Sequence, residues 1–274
     1  MISVHVYLLT NGNLRLTDLS GPTLDAVSLR LPEGAYTTLR TYNRNRVIGL
    51  SAHLQRLIDS HAALNKDRPI DLTTIRTALC EVVQRESLAN ARLRITTPFD
   101  CDQVFISIEP FEAYPAECYT HGVCCATTRL TREMPKAKQT NFIAPSRCAK
   151  ADRAPDIHEL LLVDDEGRIL EGITSNFFTM VDDKLLTADE GVLEGVTRRV
   201  VLTLAQTIVS IDYAAITVND LPRVDETFIT SSSREVMPVV QIDDQIIGAG
   251  RPGPIARQLL MLYHTYLVQT AEAL

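Results

Sequence analysis

Glu171-Gly-Ile-Thr-Ser-Asn-Phe-Phe178, followed by Gly195-Val-Thr-Arg198, is the stretch on which the reading of this chain turns. Apolar Ile169-Leu170 leads into Glu171, so a carboxylate ends a strand. Burying it costs free energy unless a cation faces it. Gly195, Val196 and Thr197 then open a helix, and the N–H groups of a helix start, with a threonine hydroxyl beside them, attract phosphate. Together these features suit one ligand with a protonated ring nitrogen at one end and a phosphate at the other. Each has an ordinary alternative: a hairpin-end glutamate in water, or any helix start.

Outward from this block the second half reads as hairpins. Residues 160–163 and 168–171 flank Asp164-Asp-Glu-Gly167, and residues 176–181 and 184–187 flank Asp182-Asp183. A helix is expected over 196–208, with Val200, Val201, Leu204 and Ile208 inward. Short strands follow at 227–230 and 239–242, and Pro254 begins a last helix. In the first half, 4–9 is a strand ending at the Asn11-Gly12 turn. Residues 35–42 and 46–50 pair as strands. Ser51 caps a helix to Leu64, Asp71 or Thr73 starts a second, and 92–97 and 103–109 are strands. The class is therefore α+β. Two prolines between Glu109 and Tyr119, and a polar stretch 127–138, place a domain boundary at 115–130, dividing the chain into 1–120 and 121–274.

A chain of 274 residues with 45% hydrophobic content can bury a full core. Net charge −7 argues against nucleic acid or an acidic membrane as partner, because both need a basic surface. The six cysteines include no Cys-x-x-Cys pair or zinc-like spacing and read as reduced thiols. No metal is expected. The first residues read as a strand rather than a signal peptide, and no apolar run reaches the ~20 residues of a membrane helix. A cytoplasmic location is the expectation.

Further candidates lie apart in sequence. Thr230-Ser-Ser-Ser-Arg-Glu235 is a hydroxyl-rich turn that could hold an anion, or a plain polar loop. Arg56 could clamp a phosphate or make a surface ion pair. A lysine that bonds an aldehyde must lose its proton readily; Lys136, Lys138 and Lys150 are all open on the residues alone. On strands, Tyr36, Thr38 and Arg40 share one face, as do Arg92, Arg94 and Thr96. Either set is a substrate wall, where an arginine could take a carboxylate bidentately, or a wet sheet face.

The order of these segments resembles the class IV, or fold-type IV, pyridoxal-phosphate enzymes, which include branched-chain and D-amino-acid aminotransferases and aminodeoxychorismate lyase. The segments are 34–40, His53-Leu-Gln-Arg-Leu57, Lys138-Gln-Thr-Asn141, 160–172, Ser175-Asn-Phe-Phe178, Gly195-Val-Thr-Arg198 and 228–239. The resemblance implies a small N-terminal α/β sandwich, a larger C-terminal pseudo-barrel domain and a homodimer. It implies pyridoxal 5'-phosphate as cofactor, Lys138 as the Schiff-base lysine, and Glu171 facing the ring nitrogen. Arg56, Val196, Thr197 and Ser232 match phosphate ligands. Ser233 shares the turn that can receive a substrate carboxylate, and Asn176 belongs to the cofactor block. Tyr36, Thr38, Arg40 and Arg94 stand on the substrate side. Phe142 stands where relatives often carry a tyrosine, and Thr97-Pro-Phe-Asp100 replaces an Arg-Gly loop. The expected reaction is amino transfer between an amino acid and a 2-keto acid. A lyase on the same scaffold and a non-catalytic module binding a phosphate metabolite are the alternatives.

Overall fold

The computed structural model describes residues 3–274 and divides into two compact units. One takes the chain to Ala113 together with Lys136–Pro145 and Thr270–Leu274; the other takes Tyr114–Pro135 and Ser146–Gln269. The expected α+β class, with a barrel-like C-terminal sheet, is met.

The first unit holds β1 (Val4–Thr10), β2 (Asn13–Gly21), α1 (Leu24–Ser28), β3 (Gly34–Arg40), β4 (Arg46–Val47), α2 (Leu50–Ala63), α3 (Leu72–Glu86), β5 (Ala91–Pro98) and β6 (Val104–Pro110). Five strands form an antiparallel sheet in the order β2-β1-β6-β5-β3. The β1–β2 hairpin turns at Asn11 (φ 50°) and Gly12 (φ 75°), the left-handed pair a two-residue turn of this twist requires. Helices α2 and α3 bury Leu54, Leu57, Leu79 and Val82 against Leu39, Leu93, Ile95 and Ile106. The opposite face carries Tyr36, Thr38 and Arg40 directly across from Thr96, Arg94 and Arg92, so the two polar sets form one surface.

Two local expectations change. Ser51 is not the cap of α2: the helix starts at Leu50, Gly49 precedes it with φ 62°, and Glu272 Oε1 accepts the Leu50 N–H at 3.1 Å. Residues 46–50 do not form a full strand: Arg46 bridges Tyr42 antiparallel, as the hairpin reading expects, but the strand is only β4, which pairs on with the terminal β16 (Glu272–Ala273). Asp71 does cap α3, accepting the Thr73 and Thr74 N–H groups at 3.0 Å each.

The second unit begins with α4 (Glu117–Thr120) and β7 (Val123–Thr128); α5 (Ile143–Asp152) follows Phe142 and lies mostly in it. It continues through β8 (Ile157–Val163), β9 (Ile169–Gly172), β10 (Asn176–Val181), β11 (Lys184–Leu186), α6 (Val196–Ala205) and β12 (Ser210–Asp212). β13 (Glu226–Ser231), β14 (Glu235–Ile242), β15 (Gln245–Ile246) and α7 (Pro254–Thr270) complete it. The sheet order is β12-β11-β10-β13-β14-β7-β8-β9, and β9 returns to pair with β10, closing a six-strand ring. The closing pair is Glu171 opposite Asn176. One face of the ring is apolar, with Cys125, Leu161, Ile169, Phe177, Ile229 and Met237.

A bulge decides where Glu171 points. Leu162 pairs with Glu171 but Val163 pairs with Ile169, so Leu170 is an extra residue in β9. Without it Glu171 would share the core face of Ile169, two residues away. The bulge turns the carboxylate to the opposite face, as bulges beside functional sites do.

Candidate active site

In the second unit the Glu171 carboxylate is 1% exposed and surrounded by donors. Oε2 accepts the Leu193 N–H at 3.0 Å and the Asn176 amide at 3.1 Å. Arg132 Nε lies 3.1 Å from Oε1, and Arg132 Nη2 donates to Ile173 O at 3.0 Å. Two hydrogen-bond donors and one guanidinium charge thus stand against the carboxylate. Asn176 also donates to Leu193 O at 2.8 Å.

Leu193 leads to Gly195, which caps α6 in extended conformation with no side-chain hydrogen bond to the first turn. Val196 and Thr197, both buried, sit in that turn. A helix start without a side-chain cap offers N–H groups to an anion. Ser232 and Ser233, half-buried, form the turn between β13 and β14. Thr230, opposite Asn176 in the next strand, is 1% exposed, and its hydroxyl makes no hydrogen bond among the described residues.

A second buried ion pair supports these segments. Glu159 is fully buried and lies 3.3 Å from Arg234 Nη1. It also accepts from the Thr174 N–H (3.2 Å), the Thr174 hydroxyl (2.5 Å) and the Ser175 hydroxyl (3.2 Å). Burial alone would push the Glu159 pKa up, but the Arg234 guanidinium and the Thr174 hydroxyl outweigh it and hold the carboxyl below its usual range. Arg234 completes the serine turn, with its N–H on Ser231 Oγ at 3.2 Å and its carbonyl accepting the Tyr119 hydroxyl at 3.2 Å. The pair therefore joins the loop after Glu171 to the hydroxyl turn.

In the first unit, residues 138–140 run beside β3. Lys138 O accepts the Tyr36 N–H at 2.8 Å, the Lys138 N–H donates to Ser60 Oγ at 3.1 Å, and Thr140 Oγ1 accepts the Gly34 N–H at 3.0 Å. A Cβ on Gly34 would strike the Thr97 carbonyl, so only glycine starts β3 at this approach. Lys138 is half-buried and its Nζ stands 4.9 Å from the Tyr36 ring centre; Lys136 is exposed. Lys150 lies in the other unit, where its charge reaches Glu159. Arg56, 8% exposed, sits on α2 one turn before Ser60.

Arg94 Cζ is 4.7 Å from the same Tyr36 ring centre, and the guanidinium donates to Thr38 (3.2 Å), Ser28 (2.8 Å) and Asp25 (2.8 Å). Arg40 instead stacks over Tyr42 and Phe111, at 4.0 and 4.7 Å. Tyr36, Thr38, Arg94 and Lys138 are thus brought together, and Arg40 points to a separate aromatic pair.

Sequence reasoning did not single out Arg132, Glu159 or Arg234. Arg132 stands in a polar stretch that reads as a connection, and Glu159 and Arg234 are recognisable only once each is seen buried against the other.

A buried strand-end carboxylate, a helix start without a side-chain cap and a hydroxyl turn lie in this one unit, a donor and charge set of the kind that can take a cationic ring and a phosphate. The family model of the class IV amino-transferases matches residues 34–242. The chain belongs to this family, and it is a pyridoxal-phosphate-dependent aminotransferase. It is 27% identical over 263 residues to the branched-chain-amino-acid aminotransferase of Pseudomonas aeruginosa, covering 88% of this chain and 86% of the relative. Identity to the D-alanine aminotransferase of Bacillus licheniformis is 25% over 293 residues, covering 97% and 99%. The fold matches a crystal structure of a branched-chain amino acid aminotransferase with pyridoxamine 5'-phosphate at TM-score 0.81 and 24% identity, covering 97% of this chain and 94% of that one. It also matches the branched-chain amino acid aminotransferase from Escherichia coli at TM-score 0.79 and 20% identity, covering 98% and 96%. Neither the lyase nor the non-catalytic module is favoured by these relatives.

The residues present fit the cofactor. Glu171, a buried carboxylate with two hydrogen-bond donors and a guanidinium beside it, suits a protonated ring nitrogen. The unpartnered Thr230 hydroxyl and the uncapped start of α6 supply donors beyond those the fold itself uses.

Proposed function

We propose that Lys138 is the covalent attachment point of the cofactor and that Glu171 faces its ring nitrogen. Arg56, Val196, Thr197, Ser232 and Ser233 hold the phosphate and the substrate carboxylate. The observation that carries this reading is the buried Glu171 carboxylate, fixed by Asn176, Leu193 and Arg132. When bound, the cofactor supplies an electron sink for the bond at the substrate Cα.

The chain's residues do the rest. Glu171 keeps a proton on the ring nitrogen, because a carboxylate in a buried site favours the cationic form of its partner. The Lys138 amine removes the Cα proton and returns one at the acceptor carbon. Tyr36, whose ring lies beside Nζ and whose N–H binds the Lys138 carbonyl, orients that amine. Arg94, already committed to Asp25, presents a fixed positive edge near Tyr36 rather than a swinging arm, which suits it to orient an acidic group of the substrate.

The substrates are an amino acid and a 2-keto acid, and the enzyme works as a cytoplasmic homodimer. Among the described residues no helix is long and apolar enough to cross a membrane. Lys138→Ala should lower turnover by roughly a thousandfold, the scale of a positioned general base, while Lys136→Ala keeps it. Equal activity of the two variants would refute the assignment. A panel of L- and D-amino acids, followed by keto-acid release, identifies the donor.

A further inference from the structure

Asn176 touches both parts of the cofactor-binding region in the second unit. Both hydrogens of its amide are committed, one to Glu171 Oε2 at 3.1 Å and the other to Leu193 O at 2.8 Å. Its Oδ1 fills the space a Cβ on Gly195 would need. Asn176 is 6% exposed and Glu171 1%. Leu193 closes the loop by giving its own N–H to the same Glu171 oxygen. Backbone pairing adds a further constraint, since Asn176 is the residue opposite Glu171 where the ring of strands closes.

We propose that Asn176 is a positioning residue that fixes the separation between the Glu171 carboxylate and the start of α6. With both donor hydrogens used on the protein, it has none for a ligand and acts through its two neighbours. Glycine at 195 is part of the device: only a residue without a side chain lets the amide lie against the helix cap. A rigid spacing of this kind matters for a ligand held at two ends, because binding then requires both contacts from one geometry. The inference rests on the reading that Glu171 meets the ring nitrogen and the α6 start meets the phosphate.

The test titrates the apoprotein with pyridoxal phosphate and, separately, with pyridoxal, which lacks the phosphate. Binding and the absorption band of the bound form are read for wild type, Asn176→Ala, Gly195→Ala and Glu171→Gln. Loss of hydrogen bonds to a charged group predicts that Asn176→Ala weakens pyridoxal phosphate by about ten- to a hundredfold. Pyridoxal should weaken less, because it uses one end alone. Gly195→Ala keeps every hydrogen-bonding group yet displaces the Asn176 amide, so it should follow Asn176→Ala in both readouts. Glu171→Gln should move the band with either ligand. In the Glu171→Gln background, Asn176→Ala should no longer move the band while still weakening pyridoxal phosphate. Thermal melting of each apoprotein reports whether the variant is folded.

An unchanged band and affinity in Glu171→Gln would refute the reading of Glu171, and this inference with it. If Glu171→Gln acts as expected but Asn176→Ala weakens both ligands equally, or folded Gly195→Ala binds like wild type, the positioning role alone is wrong.

Discussion

Arg234→Met leaves the fully buried Glu159 carboxylate without its guanidinium. Removing one partner of a buried pair destabilises proteins by about 3–5 kcal/mol, because the remaining charge is uncompensated. Here Glu159 keeps the Thr174 N–H, two hydroxyls and the Leu160 N–H at 3.1 Å, so the low end is expected, about 3 kcal/mol. At roughly 2–4 °C per kcal/mol for a unit of this size, the melting temperature should fall by roughly 6–12 °C.

The pH dependence gives the decisive sign. In the wild type the folded pKa of Glu159 is depressed, so its contribution is present above the unfolded value and is lost as pH falls through the folded one. In Arg234→Met the cation that most opposes burial is gone, and with only the Thr174 and Leu160 hydrogen bonds and the Lys150 charge left against burial, the folded pKa moves up from its wild-type position. The variant's deficit is then largest at neutral pH and shrinks on acidification, as Glu159 takes a proton. Glu159→Gln combined with Arg234→Met should likewise recover most of the loss. Differential scanning calorimetry from pH 7 to the carboxylate range follows both. A deficit independent of pH, and unrelieved by the second substitution, would show that Arg234 acts through packing and that the charge argument is wrong.

Tyr7 donates to Glu86 at 2.7 Å, and burial, reinforced by that bond and charge, pushes its phenol up to about 12. Its neutral form is favoured in the fold, so this contribution is complete below about pH 10, the ordinary tyrosine value, and is lost as pH rises to about 12. Ultraviolet titration of wild type against Tyr7→Phe should lose one late-ionising phenol. Phe178 is fully buried and stacked on Phe228 with ring centres 5.0 Å apart. Phe178→Ala should cost roughly 3–5 kcal/mol and Phe178→Leu much less, read by chemical denaturation; equal costs would contradict a packing role.

The parts of this structure that the sequence announces are local. The strand–turn–strand around Asp164–Gly167, the cap at Asp71 and the opening of α6 each follow from residues within a few positions of one another. What escapes depends on distant partners. Strand β2 is an exposed edge with little apolar alternation. The cap of α2 comes from Glu272, over two hundred residues away in sequence. The stretch 127–138 reads as a crossing, yet β7 lies between β14 and β8 and its end falls there, and Arg132 reaches Glu171. Glu171 was legible as a carboxylate at a strand end, but its direction depends on an extra residue in β9, which only the register with β8 reveals. Arg234 in a serine-rich turn looks like a solvent residue until Glu159, on another strand, is placed beside it.

The central claim is tested most directly by reducing the cofactor-loaded enzyme with borohydride, digesting it and locating the phosphopyridoxyl group by mass spectrometry. A single modified peptide is expected, with the added mass on Lys138. Modification at Lys136 or Lys150 with Lys138 untouched, or no modified lysine at all, would contradict it.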